Sequence, residues 1–155
     1  MTRTLRGLIQ PTNVHLDVRA TCKRSVLERL AAISAETFGL SASEVFDKLM
    51  ERERLGSTGV GSGIAIPHAR VEIDQLQGIL LRLEDKVAFE SIDGEPVDIV
   101  FLLLAPGEDN ANHLKALSRI ARTFRARAVV RALRSADSRE AAYSAILSDA
   151  DVEAA

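Results

Sequence analysis

Apolar residues recur at helical spacing in two early stretches, and then give way to consecutive apolar runs after His68. In the first stretch Val26, Leu27, Leu30, Ile33 and Phe38 share one broad side, with Ser34 inside the same arc. Thr21 is placed to cap that helix and Gly39 to end it. Ser41-Ala42-Ser43-Glu44 matches a capping box and opens a second helix that buries Val45, Phe46, Leu49 and Met50. At about 100° per residue Arg52 falls beside that stripe in the last turn, and Gly56 supplies the stop. Glu53 turns further toward the apolar side, where a nearby arginine would pair with it. Ahead of these helices, Leu5 to Leu16 holds only short apolar pieces around Pro11 and reads as an extended lead-in.

After His68 the pattern is that of strands. Gln77 to Leu83 and Asp98 to Leu104 are apolar-rich, with a turn at Ser91-Ile92-Asp93-Gly94-Glu95-Pro96 between them. The Asp98 run is continuous in Val, Ile, Phe and Leu, which predicts a central strand covered on both faces. Pro106 to Asn110 is a loop entering a helix whose face is Leu114, Leu117, Ile120, Ala121 and Phe124, with His113 beside the stripe near the helix start. Two more helical stretches, about Ala128 to Arg134 and Ser138 to Leu147, close one domain spanning 1–155, with a tail from Ser148 to Ala155 that frays.

Composition narrows the class. The chain has 155 residues, 46% hydrophobic and 27% charged, with a net charge of -2, which is a globular composition of one-domain size. Aromatics are scarce, so the core is aliphatic. The single cysteine, Cys22, excludes an internal disulfide framework and suits a reducing compartment. The longest apolar run, Ile99 to Pro106, is far short of a membrane span, no signal peptide is visible, and a cytoplasmic location is expected. Charge is uneven: ten acidic and two basic residues lie between Val71 and Asn110, against seven basic and no acidic ones from Lys115 to Arg134. A basic helical face can meet nucleic acid or an acidic protein surface, but with a pI near 5.9 no nucleic acid is expected.

The chemistry concentrates in Gly59-Val60-Gly61-Ser62-Gly63-Ile64-Ala65-Ile66-Pro67-His68. Glycines admit positive φ and close backbone approach, and successive N–H groups in such a turn can form an anion-binding concavity. Ile64 to Ile66 reads as a short buried strand, and Pro67 starts His68 in a constrained position. A neutral imidazole held beside such donors can accept a phosphoryl group; the same residues also suit a plain β-turn followed by a solvated histidine. Arg52 offers a fork of donors to phosphoryl oxygens, or alternatively satisfies the negative end of its own helix. Thr58 and Ser62 add hydroxyls, and Gly61 and Gly63 add backbone donors, to the phosphate-binding set. His113 near a helix start favours the neutral imidazole, able to donate to a phosphoryl oxygen or to hold His68. No metal site is expected, because no HExxH, paired cysteines or acidic cluster accompanies the histidines, and His15 has no partner motif. No Walker sequence is present either, so phosphate would arrive on a protein donor; no cofactor is implied.

The segment from Arg52 to His68 resembles the active-site signature of the phosphotransferase-system EIIA family, of the mannitol/fructose type and in particular its nitrogen-regulatory branch. The resemblance continues through Leu102-Leu103-Leu104-Ala105-Pro106 and His113-Leu114 and reaches back to Lys23-Arg24. It implies an α/β fold, a mixed sheet flanked by helices. It also implies that His68 carries the phosphoryl group, with His113 as a second active-site histidine and Arg52 beside them. The donor would be the histidine of an HPr-type carrier, and the phosphorylation state would regulate a partner whose identity the sequence does not give. The alternative is a sugar-specific EIIA that passes phosphate to an EIIB domain; a binding module working without phosphorylation would not need His68, Arg52, Thr58 and His113 together.

Overall fold

The fold is organised by β6, Val97–Pro106, whose alternate side chains enter two separate cores. Ile99, Phe101 and Leu103 point into one core and Val100, Leu102 and Leu104 into the other, all at 0% exposure. Such a run requires cover on both faces. In this computed structural model, which describes residues 5–107 and 110–148, the cover is helical. The expected tail lies outside the described residues except for Ser148, as do two positions of the loop after Pro106.

Around β6 the sheet is mixed. Strand β5, Gln77–Val87, pairs antiparallel with it in the register Leu80 to Phe101, and β1, Val14–Val18, lies parallel to β5 at the edge. On the other side β3, Ile64–Ala65, and β4, His68–Val71, both run parallel to β6, as one line interrupted at Ile66-Pro67. Strand β2, Gly59–Gly61, pairs back on β3 and closes the order β1-β5-β6-β3-β2. Helices α1, Lys23–Phe38, and α2, Ala42–Arg54, cover one face; α3, Asn110–Arg125, α4, Arg127–Ser135, and α5, Arg139–Ile146, cover the other. No described helix is long and apolar enough to cross a membrane.

Several local expectations change. The cap of α1 is Cys22 rather than Thr21, because Ser25 Oγ accepts the N–H groups of both Thr21 and Cys22, at 2.9 and 3.0 Å. Ser34 sits inside the α1 stripe at no cost in unpaired polarity, since its hydroxyl donates to Leu30 O at 2.7 Å. In α3 the buried face is His113, Ala116, Ile120, Thr123 and Phe124, whereas Leu114 is 64% exposed. The helix is turned by about one residue from the apolar pattern, and Thr123 tolerates burial by donating to Arg119 O. The lead-in is partly ordered: Pro11–Asn13 forms a 3-10 turn and Val14 begins β1.

The glycine-rich stretch is not an open loop. Gly61 pairs with Ile64 across Ser62 and Gly63, whose φ values are 58° and 83°. Two consecutive positive values make a type I′ hairpin turn, which matches the twist of the strands it joins. A side chain at Gly63 would place its Cβ 2.4 Å from Arg134 Nη2 and 2.9 Å from Asp98 Oδ1, so close approach as well as φ demands glycine there.

Candidate functional site

His68 opens β4 immediately after the Ile66-Pro67 break, and Pro67 O accepts the N–H of Leu103 at 3.0 Å. That bond ties the approach to the imidazole to the central strand. The ring itself is oriented from both sides. His68 Nδ1 lies 3.1 Å from Ile66 O, and a carbonyl can only accept, so Nδ1 carries the proton. Arg52 Nε lies 3.2 Å from Nε2, and a guanidinium can only donate, so Nε2 presents its lone pair. Two partners of fixed polarity thus select one tautomer. Arg52 also donates through Nη1 to Gly56 O at 2.9 Å, so it serves the helix end and the histidine together.

His113 meets His68 edge to face, with ring centroids 5.6 Å apart and planes at 85°. It is 5% exposed, and its Nδ1 is buried with no hydrogen-bond partner among the described residues. Burial lowers the pKa of both histidines below the usual value, and nearby positive charge adds to it: Arg52 and Arg70 for His68, Arg70 for His113, with the Ile66 bond acting the other way on His68. Both rings are therefore neutral at pH 7, the form in which an imidazole nitrogen is a nucleophile or a single donor.

Arg70 is the residue that the motif reading missed. It stands two positions after His68 on β4 and shares its side of the strand. Its guanidinium donates to Gly107 O at 3.2 Å and to Asn110 Oδ1, spanning to the first residue of α3. The signal was available as strand alternation: once His68 begins a strand, the residue at i+2 faces the same way.

Thr58 is brought close to the site but is occupied. Its hydroxyl donates to Glu53 Oε2, its N–H lies 3.1 Å from Glu53 Oε1, and its carbonyl accepts the N–H of Ile66. Glu53 pairs with Lys23 at 2.7 Å rather than with an arginine, with its side chain 5% exposed. Lys23 lies 30 residues earlier in the first helix layer, so neither end of this pair announces the other locally. Lys23, Glu53 and Thr58 form a buttress that fixes the start of the Thr58–His68 segment and leave the Thr58 hydroxyl no proton to offer a phosphate.

Gly61, Ser62 and Gly63 are not brought to His68. Ile64 pairs with Ile99 and His68 with Leu103, which separates the hairpin from the imidazole by about 13 Å along β6. The Ser62 N–H is already donated to Asp93 Oδ2 at 2.9 Å, and Ser62 O accepts from Arg134 Nη2 at 2.9 Å. The Ser62 N–H, which an anion cradle would need, is thus consumed in holding a turn. His15, on the far edge strand, also has a buried Nε2 without a partner among the described residues, but it does not share the His68 site. Among the described residues no three His, Cys, Asp or Glu side chains gather where they could hold a metal ion.

What remains at the site is a neutral, tautomer-selected imidazole between two arginines and a second buried histidine, an arrangement that fits the transfer of a small anionic group. Comparison with known proteins agrees. The chain is 42% identical over 143 residues to a nitrogen regulatory protein of Bradyrhizobium diazoefficiens, covering 92% of this chain and 94% of that one. The fold superposes on the nitrogen regulatory protein IIA-Ntr of Neisseria meningitidis with a TM-score of 0.84 and 33% identity, covering 90% of this chain and 96% of the other. It shares its fold with IIAMTL of Escherichia coli, solved in complex with phosphorylated IIBMTL, at a TM-score of 0.75 and 17% identity over 90% of this chain and 98% of that one. With residues 7–149 matched by its model, the chain belongs to the EIIA 2 family of the phosphoenolpyruvate-dependent sugar phosphotransferase system.

Proposed function

We propose that His68 accepts a phosphoryl group on Nε2 from the phosphohistidine of an HPr-type carrier, and that the phosphorylation state of His68 governs which partner proteins the chain binds. The observation that carries this reading is the pair of contacts on one ring: Nδ1–H held by Ile66 O, and Nε2 facing Arg52. The Nε2 lone pair attacks phosphorus, the donor's P–N bond breaks, and its electron pair returns to the donor imidazole. The ring left on His68 carries positive charge shared with Nδ1–H, so the bond to Ile66 O strengthens as the new P–N bond forms. Arg52 then exchanges a nitrogen acceptor for a phosphoryl oxygen with little movement. Charge on the equatorial oxygens falls to Arg52, Arg70 and a proton from His113, in place of the glycine turn and Thr58. The reaction runs in the cytoplasm, where exposed Cys22 stays reduced.

Regulation is favoured by the likeness to nitrogen regulatory proteins over most of both chains. The sugar-carrier alternative draws on the shared fold with IIAMTL, which is solved with a phosphorylated IIB. Incubation with phosphoenolpyruvate, enzyme I and the cognate carrier, followed by intact mass, should add one acid-labile, base-stable phosphoryl group. A pull-down with the phosphorylated and unphosphorylated chains should then recover a partner that distinguishes them. Rapid passage of phosphate to an EIIB protein, with no state-dependent partner, would instead establish the sugar carrier.

A further inference from the structure

At the opposite end of α3 from His113 the surface forms a groove of about 870 Å³ between the β2–β3 hairpin and the α3–α4 corner. Its floor is apolar: Val60, 54% exposed, stands beside Ile64, Phe124 and Val130. Its walls are four arginines, Arg125, Arg127, Arg131 and Arg134, and among the described residues no acidic one lines it. Arg134 is neutralised by Asp98, with Nη2–Oδ1 at 2.8 Å, and helps to hold the hairpin. Arg125, Arg127 and Arg131 have no acidic partner among the described residues. Positive charge left unpaired around an apolar floor, in a chain whose net charge is -2, is an uneven distribution that the phosphoryl chemistry does not use.

We propose that this groove docks an acidic, amphipathic segment of a partner protein. Apolar side chains of the segment would pack on Val60, the exposed apolar side chain of the groove, while its carboxylates meet the three guanidiniums of Arg125, Arg127 and Arg131, whose planar forks suit carboxylates. A nucleic acid fits less well, because binding single strands draws on exposed aromatic faces and Phe124 is only 5% exposed. The groove lies about 16 Å from His113 along α3, roughly two Debye lengths at physiological salt, so it is an anchor separate from the phosphoryl-bearing surface.

The probe is a short fluorescent peptide of alternating glutamate and leucine, followed by anisotropy and by amide NMR shift mapping. The expected result is saturable binding that weakens with added salt and moves the amides of Val60 to Ile64 and Ala121 to Ser135. Arg127→Gln combined with Arg131→Gln should weaken it about tenfold or more. Val60→Gln, which leaves every arginine in place, should weaken it as well, and each variant should still accept phosphate at the normal rate, which shows it folded. Equal affinity for a glutamate–serine peptide would overturn the apolar half of the proposal. Tighter binding of a single-stranded oligonucleotide of the same charge, shifts mapping elsewhere, or no saturation up to about 1 mM would overturn it altogether.

Discussion

The two ends of the Gly59–Val71 segment use the same kinds of group for opposite purposes. At the Ser62 turn the polar groups are spent: Ser62 N–H goes to Asp93, Ser62 O accepts from Arg134, and Arg134 is locked to Asp98. At the His68 end it is held in reserve. The Nε2 lone pair faces an arginine that a phosphoryl oxygen would satisfy better, and His113 Nδ1 is buried with no partner among the described residues. A saturated network fixes a shape, whereas an unsaturated one beside a nucleophile is poised for a ligand. His15 shows that an orphan nitrogen alone does not suffice, since its Nε2 is also unpartnered among the described residues, yet no second histidine stands against its ring as His113 does against His68.

The largest test of this contrast is the loss of His68, the proposed nucleophile. His68→Ala should abolish phosphoryl acceptance while circular dichroism and melting stay close to those of the parent; labelling that survives would remove His68 from its role. Next comes Arg52→Ala, which deletes a charge-assisted contact of about 1.5–3 kcal/mol and should slow transfer by roughly 10- to 150-fold. Arg52→Lys should recover only part of that rate, because an ammonium cannot serve both Gly56 O and the phosphate with a planar fork. Stopped mixing with phosphorylated carrier measures both, and parental kinetics in Arg52→Ala would reduce this arginine to a helix-end charge.

At the spent end the signature should invert. Gly63→Ala forces a Cβ against Arg134 and Asp98 at a φ of 83°, and should cost about 1–3 kcal/mol of stability by denaturant titration. Its transfer rate, measured where the protein is folded, should stay within about twofold of the parent, since the turn lies about 13 Å from the imidazole. A selective collapse of the rate in a folded Gly63→Ala protein would return the glycines to the phosphate site.

The smallest effect is the pH dependence. His68 and His113 both have folded pKa values held below 6.5, chiefly by burial. The unfolded chain therefore takes up protons near 6.5 while the folded one does not, so their contribution to stability is full above that pH and falls as pH drops through the folded values. Transfer should follow the same sign, with a rate that is flat through neutrality and declines only below pH 6.5 as His68 protonates. A decline centred at or above 6.5 would mean an imidazole that is not desolvated.

Much of this was legible in the sequence because it is local or periodic. Helical phase set Arg52 beside the glycine segment, the unbroken Val-Ile-Phe-Leu run of β6 announced a doubly covered strand, and Ile66-Pro67 marked where His68 begins. The rest was hidden where two structures share one pattern. Gly-Ser-Gly suits an anion nest and a type I′ hairpin equally, and only Asp93 and Arg134, distant in sequence, decide for the hairpin. Apolar counting exposed the wrong edge of α3, because it could not foresee that Thr123 and His113 would be buried in preference to Leu114. The Lys23–Glu53–Thr58 buttress depends on a contact between α1 and the end of α2 that no spacing rule reports.

The central claim is that two contacts choose the reacting nitrogen, and ring-nitrogen NMR of labelled histidine tests it most directly. In the unphosphorylated protein at pH 7, His68 should be the neutral tautomer with its proton on Nδ1. After transfer, phosphorus coupling should appear on Nε2 of His68 with the Nδ1 proton retained. Phosphate on Nδ1, or on His113, would contradict the account.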